Sequence, residues 1–454
     1  MRTGAEKTGL KSPNEFDAPV AVKSRIATNN LRYTSLHLAV SHGELAAAQL
    51  LVEHGSDVHV RNKDGWTPLH EAAARGYLDI MQLLLEHGAD LEAVNIDRRT
   101  PLHVAATRGE LSAARLLVER GAGVRVQNRG GWSPLAEAAA HAHFDIAQLL
   151  LEHGADVHVR NKDGWTPLAE AAARGFVDVT RLLLEHGADV HVTKGGWTPL
   201  AEAAAHGHVD AARLLLEFGA DVRVQKMDGW TPLAEAAARG YTDVAQLLLE
   251  HGADVQVRNK DGWTPLAEAA ARGFVDVARV LLEHGADVHV TKGGWTPLAE
   301  AAAHGYVDAA RVLLEHGADV HVQKMDGWTP LAEAAARGYV DVAQLLLEHG
   351  ADVHVQNKDG WTPLAEAAAR GYVDAVRLLL EHGADVHVQN KGGWTPLAEA
   401  VAYGYVDAAQ LLLEHGADVH VQNKDGRTPL HEATSRGYID AAQLLLKHGA
   451  TASS

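Results

Sequence analysis

One short signature recurs thirteen times along the chain and fixes what it can become. Thr-Pro-Leu, or a close variant, has its Thr or Ser at 34, 67, 100, 133, 166, 198, 231, 264, 296, 329, 362, 395 and 428, and ten of the twelve intervals are 33 residues and two are 32. Such a period marks stacked supersecondary repeats. A chain built this way grows by adding copies and has no single central core, so its 454 residues do not imply three or four separate domains. The repeats, numbered 1 to 13, span 30–450. Residues 1–29 lack the period and are expected to be disordered, and 451–454 form a short C-terminal tail.

Repeat 5 shows the local logic. Asp163-Gly164-Trp165 lead into Thr166, an N-cap candidate whose hydroxyl can accept an orphan backbone N–H. Pro167 follows at N1, where a missing N–H costs nothing. Leu168, Ala171 and Ala172 share one helical face, and Gly175 is a C-terminal stop. A second helix is expected from about Val177 to Glu185, with Val179, Leu182 and Leu183 apolar and His186-Gly187 closing it. Ala188 to Val192 then run extended toward the next turn. Helices shorter than about 12–15 residues are marginal in water, so stability must come from neighbouring repeats.

The string Asp-Gly-Trp-Thr-Pro-Leu-(Ala/His)-Glu-Ala-Ala, followed by Leu-Leu-Glu-His-Gly-Ala-Asp, resembles the ankyrin repeat over about residues 30–450. The resemblance implies an all-α-dominated solenoid of helix–loop–helix units with β-hairpin-like fingers and a concave binding face. It also implies that the residue before the capping Thr lies beside the finger on that concave side. Two departures stand out. The family's His after Thr-Pro-Leu is present at His37, His70, His103 and His431 but is Ala in the other nine repeats, where a looser turn is expected. The family's Asn after Gly-Ala-Asp-Val is mostly His, as at His158 and His354.

A longer period overlies the first. Residues 160–257 and 258–355 are blocks of 98 residues that differ at eight positions, among them Thr180 against Ala278 and Phe218 against His316. This reads as an internal duplication. The shortened repeats fall at the same place in each block, at Thr193-Lys194-Gly195-Gly196 and Thr291-Lys292-Gly293-Gly294, which predicts two short fingers three repeats apart.

Composition removes several function classes. There is no cysteine, hence no disulfide and no thiolate metal site. A net charge of −18 disfavours phosphate-backbone binding, which rests on Lys and Arg. No apolar run approaches the roughly 18 residues of a membrane span. The first twenty residues lack an apolar secretion segment, so a cytoplasmic or nuclear protein is expected. No nucleophile elbow or phosphate loop occurs. Acidic residues repeat identically in every copy, as a solvated structural role predicts.

Three registers could carry function. Trp66, Trp132, Trp165, Trp197, Trp230, Trp263, Trp295, Trp328, Trp361 and Trp394 all precede the capping residue, with Tyr33, Arg99 and Arg427 elsewhere in that register. Trp and Arg are over-represented at binding hot spots, yet each indole could equally pack on a neighbouring finger. Arg174, Arg239, Arg272, Arg337 and Arg370 end first helices, four residues after a Glu. That spacing suits a helix-surface ion pair or a charged groove wall. The 29 histidines lie too far apart between repeats for one metal ion. With ordinary values near ~6.5 they predict a steep charge change across about pH 5.5–7.5.

The expectation is a monomeric, non-enzymatic scaffold without cofactor or metal. It binds a partner protein or extended peptide through the Trp and Arg registers on the concave face, and neither nucleic acid nor membrane. The alternative is a structural spacer or assembly rod whose Trp residues pack between repeats.

Overall fold

A computed structural model describes residues 33–290 and 294–451. The N-terminal segment 1–29, residues 291–293 of the second shortened finger and 452–454 of the tail lie outside the described residues. The chain forms two compact units, Met1–Asp163 and Gly164–Ser454, holding repeats 1–4 and 5–13.

The described residues form 26 helices, two per repeat. Repeat 5 has Pro167–Ala173 and Val177–Glu185. Thr166 caps the first helix, its hydroxyl accepting the Ala169 N–H at 3.2 Å, with Pro167 in the first turn. The second helix closes on a Schellman motif: Ala188 N–H donates to the Leu183 carbonyl and Gly187 N–H to that of Leu184. The His186 ring adds a cap, Nδ1 donating to the Leu182 carbonyl at 2.8 Å.

Within each unit every first helix packs on its own second helix and on the first helices of adjacent repeats. The small residues allow this approach: Leu168, Ala171, Ala172 and Leu183 are completely buried. A second contact links repeats through a glycine. Gly240, at φ +79°, ends the first helix of repeat 7. A Cβ there would lie 2.7 Å from the Phe274 ring of repeat 8. Tyr241, Tyr306, Tyr339, Tyr372, Tyr405 and Tyr438 dock on preceding glycines in the same way.

The fingers are turns; among the described residues no strand forms, and an isolated bridge pairs Lys194 with Trp197. In the full-length finger of repeat 2, Asn62 N–H donates to the Trp66 carbonyl and Gly65 N–H to that of Asn62. The Asn62 side-chain oxygen accepts from Asp64 and Trp66 N–H, both at 2.9 Å. Successive full-length fingers are joined by backbone bonds, as from Lys358 N–H to the Asp326 carbonyl at 2.7 Å. Deleting one residue changes the turn. Lys194 and Trp197 exchange both backbone bonds around Gly195 and Gly196, at φ +58° and +89°, a two-residue loop that needs positive φ twice. The first short finger is thus where the sequence put it.

Among the described residues two that are not glycine occupy the left-handed region, Arg98 at φ +58° in a finger and Ala142 at φ +61° after a first helix. Both lie in the first unit, where other repeats have glycine. Side chains there are sterically disfavoured. Ala142→Gly is therefore expected to stabilise the first unit by about 0.5–1 kcal/mol. Hydrogen exchange across 134–152 in urea checks this; unchanged or faster exchange in the variant would contradict the strain.

Candidate binding groove

All ten tryptophans are half-buried, neither core nor free. Where the finger carries Asn, its side-chain oxygen accepts from the Trp backbone N–H, as Asn357 does for Trp361 and Asn390 for Trp394, both at 3.0 Å. Lys226 and Lys324 stand at the Asn position of repeats 7 and 10. There the Asp228 and Asp326 side chains accept from the Trp230 and Trp328 backbone N–H at 3.1 Å.

Beside each Trp lies a glutamate of the first helix. These glutamates were expected to be solvated, but most are nearly completely buried: Glu235 is 4% exposed, Glu333 2% and Glu432 1%. The reason is their place under the finger, between neighbouring first helices. Donors reach them from the finger, from the helix end or from both. Asn128 and Asn390 donate to Glu137 and Glu399 at 3.0 and 3.2 Å. The Arg register supplies the other side. Arg174 lies 3.6 Å from Glu170 and Arg239 3.2 Å from Glu235, while Arg272, Arg337 and Arg370 pair with Glu268, Glu333 and Glu366. Each of these arginines is exposed, so the pair joins a buried anion to a solvent-facing cation rather than two surface charges. The substitutes in the Trp register reach the same row. Tyr33 donates to Glu71, Arg99 pairs with Glu137 at 2.9 Å and Arg427 with Glu432 at 3.4 Å.

The two candidate registers therefore share one surface. In the second unit a cleft of about 370 Å³ is lined by Lys324, Asp326, Trp328, Glu333, Arg337 and Arg370. In the first unit a cleft of about 620 Å³ has Tyr33, Trp66, Glu71, Arg75 and Arg108 among its walls. Sequence reading missed the two lysines that complete the surface. Lys226 pairs with Glu235 and stands 3.5 Å from the Trp197 ring centre; Lys324 pairs with Glu333 and stands 3.6 Å from that of Trp295. The signal was present, since Lys replaces Asn only in the repeat after each shortened finger.

The family described as ankyrin repeats in three copies matches ten overlapping segments: 20–95, 89–161, 153–226, 191–259, 218–292, 254–324, 289–357, 317–390, 349–423 and 383–454. The chain belongs to the ankyrin-repeat family. Comparison with curated proteins gives no match.

The missing ankyrin histidine has a visible consequence. In repeats 1–3 the ring Nδ1 accepts from the capping Thr, and Nε2 donates to the next finger: His37 to the Trp66 carbonyl, His70 to Arg99 and His103 to Trp132, at 2.9, 2.9 and 3.0 Å. With Ala, that carbonyl keeps its bond within the finger, as Trp361 does from Asn357 N–H at 2.9 Å. The cross-repeat bond is lost while the turn's own hydrogen bond is kept.

Burial lowers His70 and His103 to about 4, which takes them out of the charge change expected near neutrality. Carboxylates enter that range instead. Repeats 6, 9 and 12 carry His206, His304 and Tyr403 in place of the Arg. Burial pushes Glu202, Glu300 and Glu399 up to about 7.

The two ankyrin units therefore carry groups of opposite pH response. Folded His70 and His103 bind protons less readily than the unfolded chain, so their contribution is present above about pH 6.5 and is lost toward pH 4. Glu202, Glu300 and Glu399 bind protons more readily when folded; their contribution is full below the ordinary Glu range and is lost as pH rises through about 7. Acidification from pH 7.5 to 5 is expected to speed intrinsic-rate-corrected hydrogen exchange in the first helices of repeats 2 and 3 and slow it in those of repeats 6, 9 and 12. A common direction in both units would refute the assignment.

Proposed function

We propose that this chain is a protein-interaction scaffold of the cytoplasm or nucleus. It acts as a monomer without catalysis and grips a partner protein or extended peptide on the concave side, along the Trp–Glu–Arg surface. Ankyrin repeats are generally protein-interaction modules. The observation that carries the reading to this surface is its repetition: a half-buried indole beside an exposed guanidinium anchored on a buried carboxylate. Anchoring reduces the side-chain freedom lost on binding, and rigid aromatic and Arg groups make effective hot spots. Among the described residues, no helix is long and apolar enough to cross a membrane.

The spacer reading has support at two positions. Trp197 and Trp295 lie under Lys226 and Lys324, so these indoles serve the stack. A desolvated cation–π contact contributes about 2 kcal/mol.

Paired variants separate the roles. Trp328→Ala with Trp361→Ala is expected to weaken partner capture from lysate of the source cell by about tenfold or more, with the melting temperature shifted by no more than about 2 °C. Trp197→Ala with Trp295→Ala is expected to lower the melting temperature clearly. Intact capture by the first pair would remove the scaffold reading from this surface.

A further inference from the structure

Two glutamates in the second unit lack what the others have. Glu202 and Glu300 are 6% and 5% exposed. Glu170, Glu235, Glu268, Glu333, Glu366 and Glu432 each face an arginine of their own helix, and Glu399 accepts from Asn390. Repeats 6 and 9 lose both donors together. The shortened finger has no Asn, and His206 and His304 replace the arginine. Their Nδ1 atoms donate to the backbone carbonyls of Glu202 and Glu300, at 2.9 and 3.0 Å, and stay 3.8 Å from the carboxylates. Neither carboxylate accepts a hydrogen bond among the described residues.

The neighbouring repeats show what fits there. Arg272 reaches back along its helix and donates to both the Glu268 carboxylate and its carbonyl. We propose that Glu202 and Glu300 are acceptor sites for two cationic side chains, arginine foremost, of a basic extended polypeptide lying along the groove. In each site the partner's guanidinium takes the place that the chain's own arginine fills in adjacent repeats. This rests on the groove reading given above and adds the chemistry of the partner.

Three further observations agree. The protein's net charge of −18 favours a basic partner. The two sites are 98 residues apart, three repeats, or about 25–30 Å at helix-packing distances. An extended segment of roughly eight or nine residues spans that. The charges facing Glu202 are Glu235, Lys226, Glu170, Arg239 and His206; those facing Glu300 are His304, Glu333, Lys324 and Glu268. Both lysines are already paired with their own Glu235 and Glu333. Burial holds both carboxyls at about 7, so an arriving guanidinium drives proton release at neutral pH.

The test uses the full chain, fluorescently labelled oligoarginine and low ionic strength at pH 8, with affinity read by anisotropy. Glu202→Gln with Glu300→Gln removes the acceptors. His206→Arg with His304→Arg fills them with the residue other repeats already carry, so it also guards against a folding defect. Glu185→Gln with Glu283→Gln, both exposed, makes the same change in net charge elsewhere. The first two variants are expected to bind about tenfold more weakly or worse, and the third within about twofold of the parent. Equal loss in all three would show general charge attraction and overturn the sites, as would parental affinity in the first two. Failure of the Trp328 and Trp361 pair to affect capture would remove the groove reading, while these affinities still decide the acceptor sites.

Discussion

A helix of six to nine residues cannot hold its shape in water alone, and no helix among the described residues is longer. Every repeat therefore depends on contacts that cross to the next. Four kinds recur: alanine faces that let first helices approach, backbone bonds between fingers, rings seated on glycine, and, in the first unit, histidine donors. None is strong by itself, and each contribution is small beside the conformational entropy of ordering the chain. Their effect comes from repetition, which makes stability a sum over neighbours.

The buried glutamate row is the less obvious part of the same arrangement. Placing a carboxylate under each finger is costly unless donors surround it. Repeats 7, 8 and 10 meet that condition with a lysine or asparagine from the finger and an arginine from the helix end, and others with one of the two. The arginine gains a fixed position by this pairing while its outer edge stays in solvent. A structural requirement and a recognition surface thus use the same atoms, and the groove is preorganised by the need to neutralise its floor.

Much of this was legible in the residues. Thr166, Pro167 and Gly175 announce a helix start and stop through local chemistry, and the helices begin and end there. Gly195-Gly196 announces a tight loop for the same reason. The aligned tryptophans and arginines indicated a shared surface, and the clefts bring Trp328 together with Arg337 and Arg370. Burial of Glu235 and Glu333 was not legible, because spacing along one helix says which residues share a face but not what lies over it. The lysine–tryptophan contacts escaped for a similar reason. Lys226 and Trp197 lie 29 residues apart, and no rule of local periodicity joins them. The histidines misled in the opposite sense, since composition treats His70 and an exposed His as equal titrating groups.

The contact between Lys226 and Trp197 bears on how such an array can change length. The shortened finger is in one repeat and the lysine that covers its indole is in the following one. Insertion of a single repeat between them, or loss of either one, would keep the period intact but part Trp197 from Lys226. Recombination that exchanges the whole three-repeat block keeps both halves together. A crossover that falls between the two repeats of such a pair yields a chain in register by sequence and mismatched by chemistry, whereas one that falls elsewhere leaves the contact intact.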